Sequence, residues 1–282
     1  MLDISRTDSD RRSPIEFLGV PVDALTMSET VSAVRSMVAD GSSHQHVCVN
    51  AAKLVEIKRN PALAGIIRDC DLVSADGASV VWASRLLRQR LPERVAGIDL
   101  FERLVAAAAD DGDSVYFLGA RREVVDKVIE IFRARHPGLM VAGHHDGYWT
   151  EAEEEGLVAD IRAARPTYLF LALSSPRKEV WLNEYRHALA IPFVMGVGGS
   201  FDVIAGQVGR APRVVQRAGM EWAWRLGQEP RRMWRRYLFG NAMFIAMVLT
   251  EMVRCRRIAT AKGQRRVRGG KSAHERVQAL GS

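Results

Sequence analysis

The side chains best placed to do chemistry in this 282-residue chain stand where apolar runs stop. Asp76, followed by Gly77, ends the run Asp71–Ala75. A carboxylate there can act as a general base, taking a proton from an attacking hydroxyl. The same aspartate can instead cap the helix that follows. Asn50 ends the run His46–Asn50, where its amide can line a crevice or simply stop the strand. Arg94 lies in the loop ERVAGIDL with Asp99 close by. Its guanidinium fork matches the oxygens of a diphosphate and equally well pairs with a carboxylate.

Two longer apolar runs, Tyr168–Leu173 and Phe193–Val197, stop at SSPRKE and GVGGSFD. Their continuity fits strands buried on both faces of a parallel sheet, and ligands of such sheets sit beyond the carboxyl ends of the strands. Lys178, Glu179 and Asp202 should therefore reach into one crevice with Asp76 and Asn50. Gly196, Gly198 and Gly199 would let backbone amides approach an anion closely, although tight packing also asks for glycine. Gly119, between a strand and a helix in FLGARREV, suits a nucleotide-edge turn but belongs to no G-x-G-x-x-G fingerprint. The loops show no P-loop, zinc spacing or D-x-D carboxylate pair.

Positioning these residues calls for alternating strands and helices. Ile15–Val20 reads as a strand, and Thr26-Met-Ser-Glu29 is a capping box that opens a helix through Val31, Val34, Met37 and Val38. A helix around Ala51–Lys58 follows the strand at Asn50, and another follows Asp76 through Val80, Val81 and Leu86. From Val115 to Val197 the pattern is strand, helix, strand, helix, strand, helix, strand, with strands at Val115–Gly119 and Leu139–Ala142 and a second capping box at Thr150–Glu153. The predicted class is α/β: a Rossmann-like parallel sheet flanked by helices, with a basic helical C-terminal appendage. Residues 1–13 read as a disordered start, 14–220 as the core with a soft boundary near 91–96, 221–261 as the appendage and 262–282 as a disordered tail.

The formal net charge of +7 is unevenly spread. From Arg225 onward 14 Lys/Arg face three acidic residues, whereas the preceding 224 residues hold 26 basic and 30 acidic side chains. A mildly acidic globule with a strongly basic end suggests an anionic surface as partner, a membrane rather than nucleic acid because no nucleic-acid-binding motif accompanies the charge. Trp222, Trp224 and Trp234 interleave with Arg225, Arg231, Arg232, Arg235 and Arg236, and a mostly apolar stretch follows over Tyr237–Val253. That composition suits a membrane interface and also a terminal helix packed on the core. No apolar run reaches the roughly 18 residues of a spanning helix, and the start lacks the apolar core of a signal peptide. Cys48, Cys70 and Cys255 are spaced for neither metal nor framework disulfides, which fits reduced thiols in the cytoplasm.

The stretches NAAKLVEIKRNP, SADGASVV, ERVAGIDL, FLGA, DGY, SSPRKE, MGVGGSFDVIAG, RAP and GMEWAWRLGQEPRR, in this order, resemble the WecG/TagA/CpsF family of bacterial glycosyltransferases from about Ile15 to Phe239. The resemblance implies inverting, metal-independent transfer of a sugar from a UDP-sugar to a polyprenyl-diphosphate-linked saccharide for a cell-surface polymer or exopolysaccharide, with no cofactor. It implies Asp76 as the base, Arg94 as a contact to acceptor or diphosphate, and Asn50 at the pocket mouth. It also implies an appendage, here holding Arg225, Arg231, Arg232 and Arg235, that meets the inner face of the membrane and completes the site. One position departs. Many relatives have Pro-Lys-Gln-Glu where this chain has Pro176-Arg177-Lys178-Glu179, so a neutral amide gives way to a cation suited to a phosphate or an acidic sugar. Self-association is open, and two other classes fit parts of the chain: a Rossmann-like sugar-nucleotide oxidoreductase or epimerase, and a non-catalytic membrane adaptor.

Overall fold

The structure is a computed structural model that describes residues 14–212, 214–215, 220–228 and 239–255. The first residues form a hairpin rather than the single strand expected over Ile15–Val20. β1 (Ile15–Phe17) pairs antiparallel with β2 (Val20–Val22) across Leu18 and Gly19, both at positive φ, which reverses the chain. α1 (Met27–Ala39) opens with the expected capping box, in which the Glu29 amide donates to Thr26 Oγ1 and the Thr26 amide to Glu29 Oε2. β3 (His44–Val49) and α2 (Ala51–Arg59) follow. α3 (Pro61–Arg68) was not expected; Asn60 caps it and Pro61 occupies its first turn, where a missing amide proton costs nothing.

β4 (Leu72–Ala75), α4 (Ala78–Leu86), α5 (Gly97–Asp111), β5 (Ser114–Gly119) and α6 (Arg122–Arg135) come next. β6 runs Met140–His145, past the expected end at Ala142, because Gly143 leaves room for the Tyr116 ring on the neighbouring strand; a Cβ there would stand 2.5 Å from that ring. α7 (Glu151–Ala164), β7 (Tyr168–Ala172), α8 (Arg177–Leu189), β8 (Phe193–Gly196) and α9 (Ser200–Ile204) complete the alternation read from the sequence. α10 spans Glu221–Gln228, and a last helix, α11, spans residues 239–255.

Six strands form one parallel sheet in the order β4-β3-β8-β7-β5-β6. The loop at 91–96 lies within the span of this sheet, since β3 before it pairs directly with β8 after it. β4 and β7 are buried along their whole length, as strands covered on both faces must be. The step from β3 to β4 runs opposite to the step from β5 to β6, so right-handed crossovers send their helices to opposite faces. On one face α1, α5, α6 and α9 close over a knot of Phe101, Phe117, Phe132, Phe170 and Phe201. On the other face lie α2, α3, α7 and α8; the hairpin, α4 and α11 join α2 and α3 in a cluster that buries Phe244 and Val248. The chain leaves β3 towards one face and β8 towards the other, which opens a crevice between their carboxyl ends.

Candidate active site

Four strand ends meet at this crevice: Asp76 follows β4, Asn50 follows β3, the 196–199 turn follows β8 and the 174–179 loop follows β7. Backbone pairing fixes the first of them. The Asp76 amide donates to Val49 O at 2.8 Å, and the Val95 amide donates to Ala75 O at 2.9 Å. The strand end thus holds the 93–97 loop alongside itself and delivers Arg94 to Asp76, with Nε 3.6 Å from Oδ1. Arg94 also forms an ion pair with Glu221 of α10, so its guanidinium lies between two carboxylates. Its Nε is buried and makes no hydrogen bond among the described residues. Gly97 keeps the wall thin beside them; a Cβ there would come to 3.1 Å from Cys48 Sγ and 3.7 Å from Asp76 Oδ2.

Asn50 does the local task that its position allows. Its side chain accepts from the Lys53 amide at 3.0 Å and caps α2, beside the Gly77 turn. Cys48 and His46, two and four residues before Asn50 on β3, carry no reactive charge. Burial pushes the His46 imidazole down to about 3, with Lys53 adding to the effect, and its Nε2 lies 2.9 Å from Ser74 Oγ. Burial, reinforced by Asp76, pushes the Cys48 thiol up, so it is no thiolate nucleophile.

Lys178 and Glu179 form the floor of the crevice rather than projecting freely into it. Glu179 is 2% exposed and forms ion pairs with Lys53 and with Lys178, the latter at 3.0 Å. Its second oxygen accepts from Ser175 Oγ at 3.0 Å. Burial alone would raise the Glu179 carboxyl, but Lys53 and Lys178 hold it below the usual carboxylate range. Burial pulls Lys178 down to about 8, and Lys53 assists.

The glycines divide by task. Gly196 makes room for a lysine stem, since a Cβ there would stand 2.8 Å from Lys178 Cδ. Gly198 sits at φ 56 in the turn, and Gly199 precedes α9. Asp202, in the first turn of α9, is half-buried beside Gly199. Gly119, at φ 115, lies against the neighbouring strand; its Cβ would fall 2.6 Å from Ala172 O, so close strand approach already demands glycine there.

Sequence reasoning missed three members of the site and its frame. Lys53 reads as one more helix lysine, and only its place one turn after Asn50 hints that it points inward. Glu221 gives no signal until α10 is brought to Arg94. Arg210 pairs with Asp99 and Glu102 of α5, and Trp224 Nε1 and Gln228 Nε2 donate to Gly209 O at 3.2 and 3.0 Å. These contacts latch α10 to the crevice rim. Arg225 belongs to α10, but its side chain, together with Arg231, Arg232 and Arg235, lies outside the described residues. No group of three or more His, Cys, Asp or Glu that could hold a metal ion occurs among the described residues.

Residues 15–258 match the Glycosyl transferase WecG/TagA/CpsF family. The chain belongs to this family. It is therefore a glycosyltransferase, and the oxidoreductase and adaptor readings fall away. A curated relative from Bacillus spizizenii, an N-acetylglucosaminyldiphosphoundecaprenol N-acetyl-beta-D-mannosaminyltransferase, is 39% identical over 184 residues, 65% of this chain and 70% of the relative.

Proposed function

We propose that this transferase moves a sugar, with inversion and without a metal ion, from a UDP-sugar to a polyprenyl-diphosphate-linked saccharide. The observation that carries the reading is the pairing of Asp76 with Arg94 at the crevice. The acceptor class is supported by the relative, whose name specifies a diphosphoundecaprenol-linked sugar as its acceptor. In the proposed reaction Asp76 takes the proton of the acceptor hydroxyl as that oxygen attacks the anomeric carbon. The bond from the anomeric carbon to the diphosphate oxygen breaks on the opposite side, inverting the centre, and UDP leaves carrying the electron pair. Arg94, held between Asp76 and Glu221, orients the base. Arginines of the appendage (Arg225, Arg231, Arg232 and Arg235) would supply the positive charge that a metal provides to a departing diphosphate elsewhere.

A membrane-linked acceptor calls for a membrane-facing surface. α11 offers one, with Phe239, Ile245, Leu249 and Val253 between 49% and 62% exposed while its opposite face packs on the core. Arginines flank this helix in sequence on both sides, a pattern that fits the boundary of an anionic bilayer. No helix among the described residues is long and apolar enough to cross a membrane. In this reading the protein works at the inner face of the cell membrane as a peripheral enzyme.

The test is UDP release from a panel of UDP-sugars, with a polyprenyl-diphosphate-sugar acceptor and EDTA present. Release that requires both acceptor and one donor is expected. Asp76→Asn should lower kcat by about 10²–10⁴-fold while leaving UDP affinity within a few-fold of the parent. Full turnover in a folded Asp76→Asn protein would sink the proposal.

A further inference from the structure

The floor of the crevice holds a charge imbalance. Lys53 and Lys178 are both almost wholly buried and both face the same Glu179 carboxylate. One carboxylate neutralises one ammonium, so the cluster carries a surplus positive charge. Glu56 does not offset it. Glu56 is half-buried on the far side of Ser175, whose Oγ lies 3.1 Å from it, and it makes no ion pair with either lysine. Burying a surplus ammonium is costly, and the fold gains nothing from it that a neutral side chain would not give.

The two lysines are not equivalent. Lys53 extends from α2 directly onto Glu179. Lys178 runs past Gly196, and its Nζ ends 3.8 Å from where a Cβ on Gly198 would stand. The surplus ammonium therefore lies in the crevice floor, directly beneath the glycine turn after β8. Of its three protons, Glu179 accepts at most a share of one or two; it is the sole acceptor for Lys178 Nζ among the described residues. Burial, with the Lys53 charge adding to it, pulls this ammonium down to about 8.

We propose that Lys178 is a specificity-determining contact for an anionic oxygen of the nucleotide-sugar donor, and that donor binding completes the neutralisation of the Lys53–Glu179–Lys178 cluster. This rests on the transferase reading above. Two donor groups have the required chemistry: the diphosphate, present in every such donor, and a carboxylate on the sugar itself. The second would restrict this transferase to acidic sugars.

Calorimetric titration of the full chain and of Lys178→Gln with UDP, a neutral UDP-N-acetylhexosamine and a UDP-uronic acid separates these sources. An equal loss of tenfold or more for all three ligands in the variant assigns the contact to the diphosphate. A loss confined to the UDP-uronic acid assigns it to the sugar carboxylate. Lys178→Met, which can neither carry charge nor donate, should lose as much as Lys178→Gln if charge is what counts. Both variants keep the Lys53–Glu179 pair intact and should melt no lower than the parent, so weakened binding in them is not a folding defect. Unchanged affinity for all three ligands in both variants overturns the inference and leaves the transferase reading standing. Failure of the parent chain to bind any of the three removes both.

Discussion

Glu179 is where single-residue chemistry and stability meet most directly. Replacing it with Gln would leave two buried ammonium groups facing each other with no carboxylate between them. Breaking a buried pair in this way costs about 3–5 kcal/mol, so Glu179→Gln should lower the urea midpoint sharply. A midpoint like that of the parent would mean that the cluster is open to water. Lys178 gives the converse signature. Its folded pKa, about 8, lies below the unfolded value of 10.5, so between those limits the folded chain binds fewer protons than the unfolded one. Stability should therefore rise as pH climbs from about 8 towards 10.5, and Lys178→Met should abolish that rise. The sequence names Lys178 and Glu179 as crevice residues but gives no means of seeing that they are buried together. That depends on Lys53, 126 positions away from Glu179, and no local pattern encodes such a pairing. Asp76 and Arg94 are more legible, because strand ends and loop arginines are recognisable types; the 3.6 Å contact between them needs the backbone pairing of Val95 with Ala75.

Among the elements, the junction of β5 and β7 separates two roles for one glycine. By sequence Gly119 suits a nucleotide-edge turn, and its position against Ala172 makes it a packing requirement whatever else it does. Gly119→Ala should cost about 2 kcal/mol or more through overpacking and a positive φ, measured by urea denaturation. Activity lost at unchanged stability would show instead that the position serves the ligand alone. The elements that sequence predicts best are those with a local physical code. Both capping boxes, at Thr26–Glu29 and Thr150–Glu153, form as read, and the alternation from Val115 to Val197 becomes four neighbouring strands with their helices. The hairpin and α3 were missed because each depends on one ambiguous dipeptide. Leu18-Gly19 turns the chain only when leucine accepts a positive φ, and Asn60-Pro61 serves equally as a turn and as a helix start.

At the scale of the whole molecule, the basic end and the core are joined by α11, whose inner face sits in the same apolar cluster as the hairpin and α4. Its outer face should decide membrane attachment. Ile245→Glu with Leu249→Glu is expected to cut co-sedimentation with anionic vesicles at least tenfold while leaving UDP binding unchanged, since both side chains are exposed on the outer face of α11. Equal sedimentation by the double variant would assign attachment to the arginines alone. The strand order was beyond the sequence: alternation predicts a parallel sheet, but that β8 inserts beside β3 follows from the packing of the whole chain. That insertion carries a consequence for the chain as it is made. Once β3 and β4 have been synthesised, the inner edge of β3 is a bare row of amides and carbonyls, and its natural neighbour β8 begins only about 120 residues further along the chain. A nascent chain arrested before β8 should be sticky and dependent on chaperones, and the donor pocket should come into existence only in the last third of synthesis.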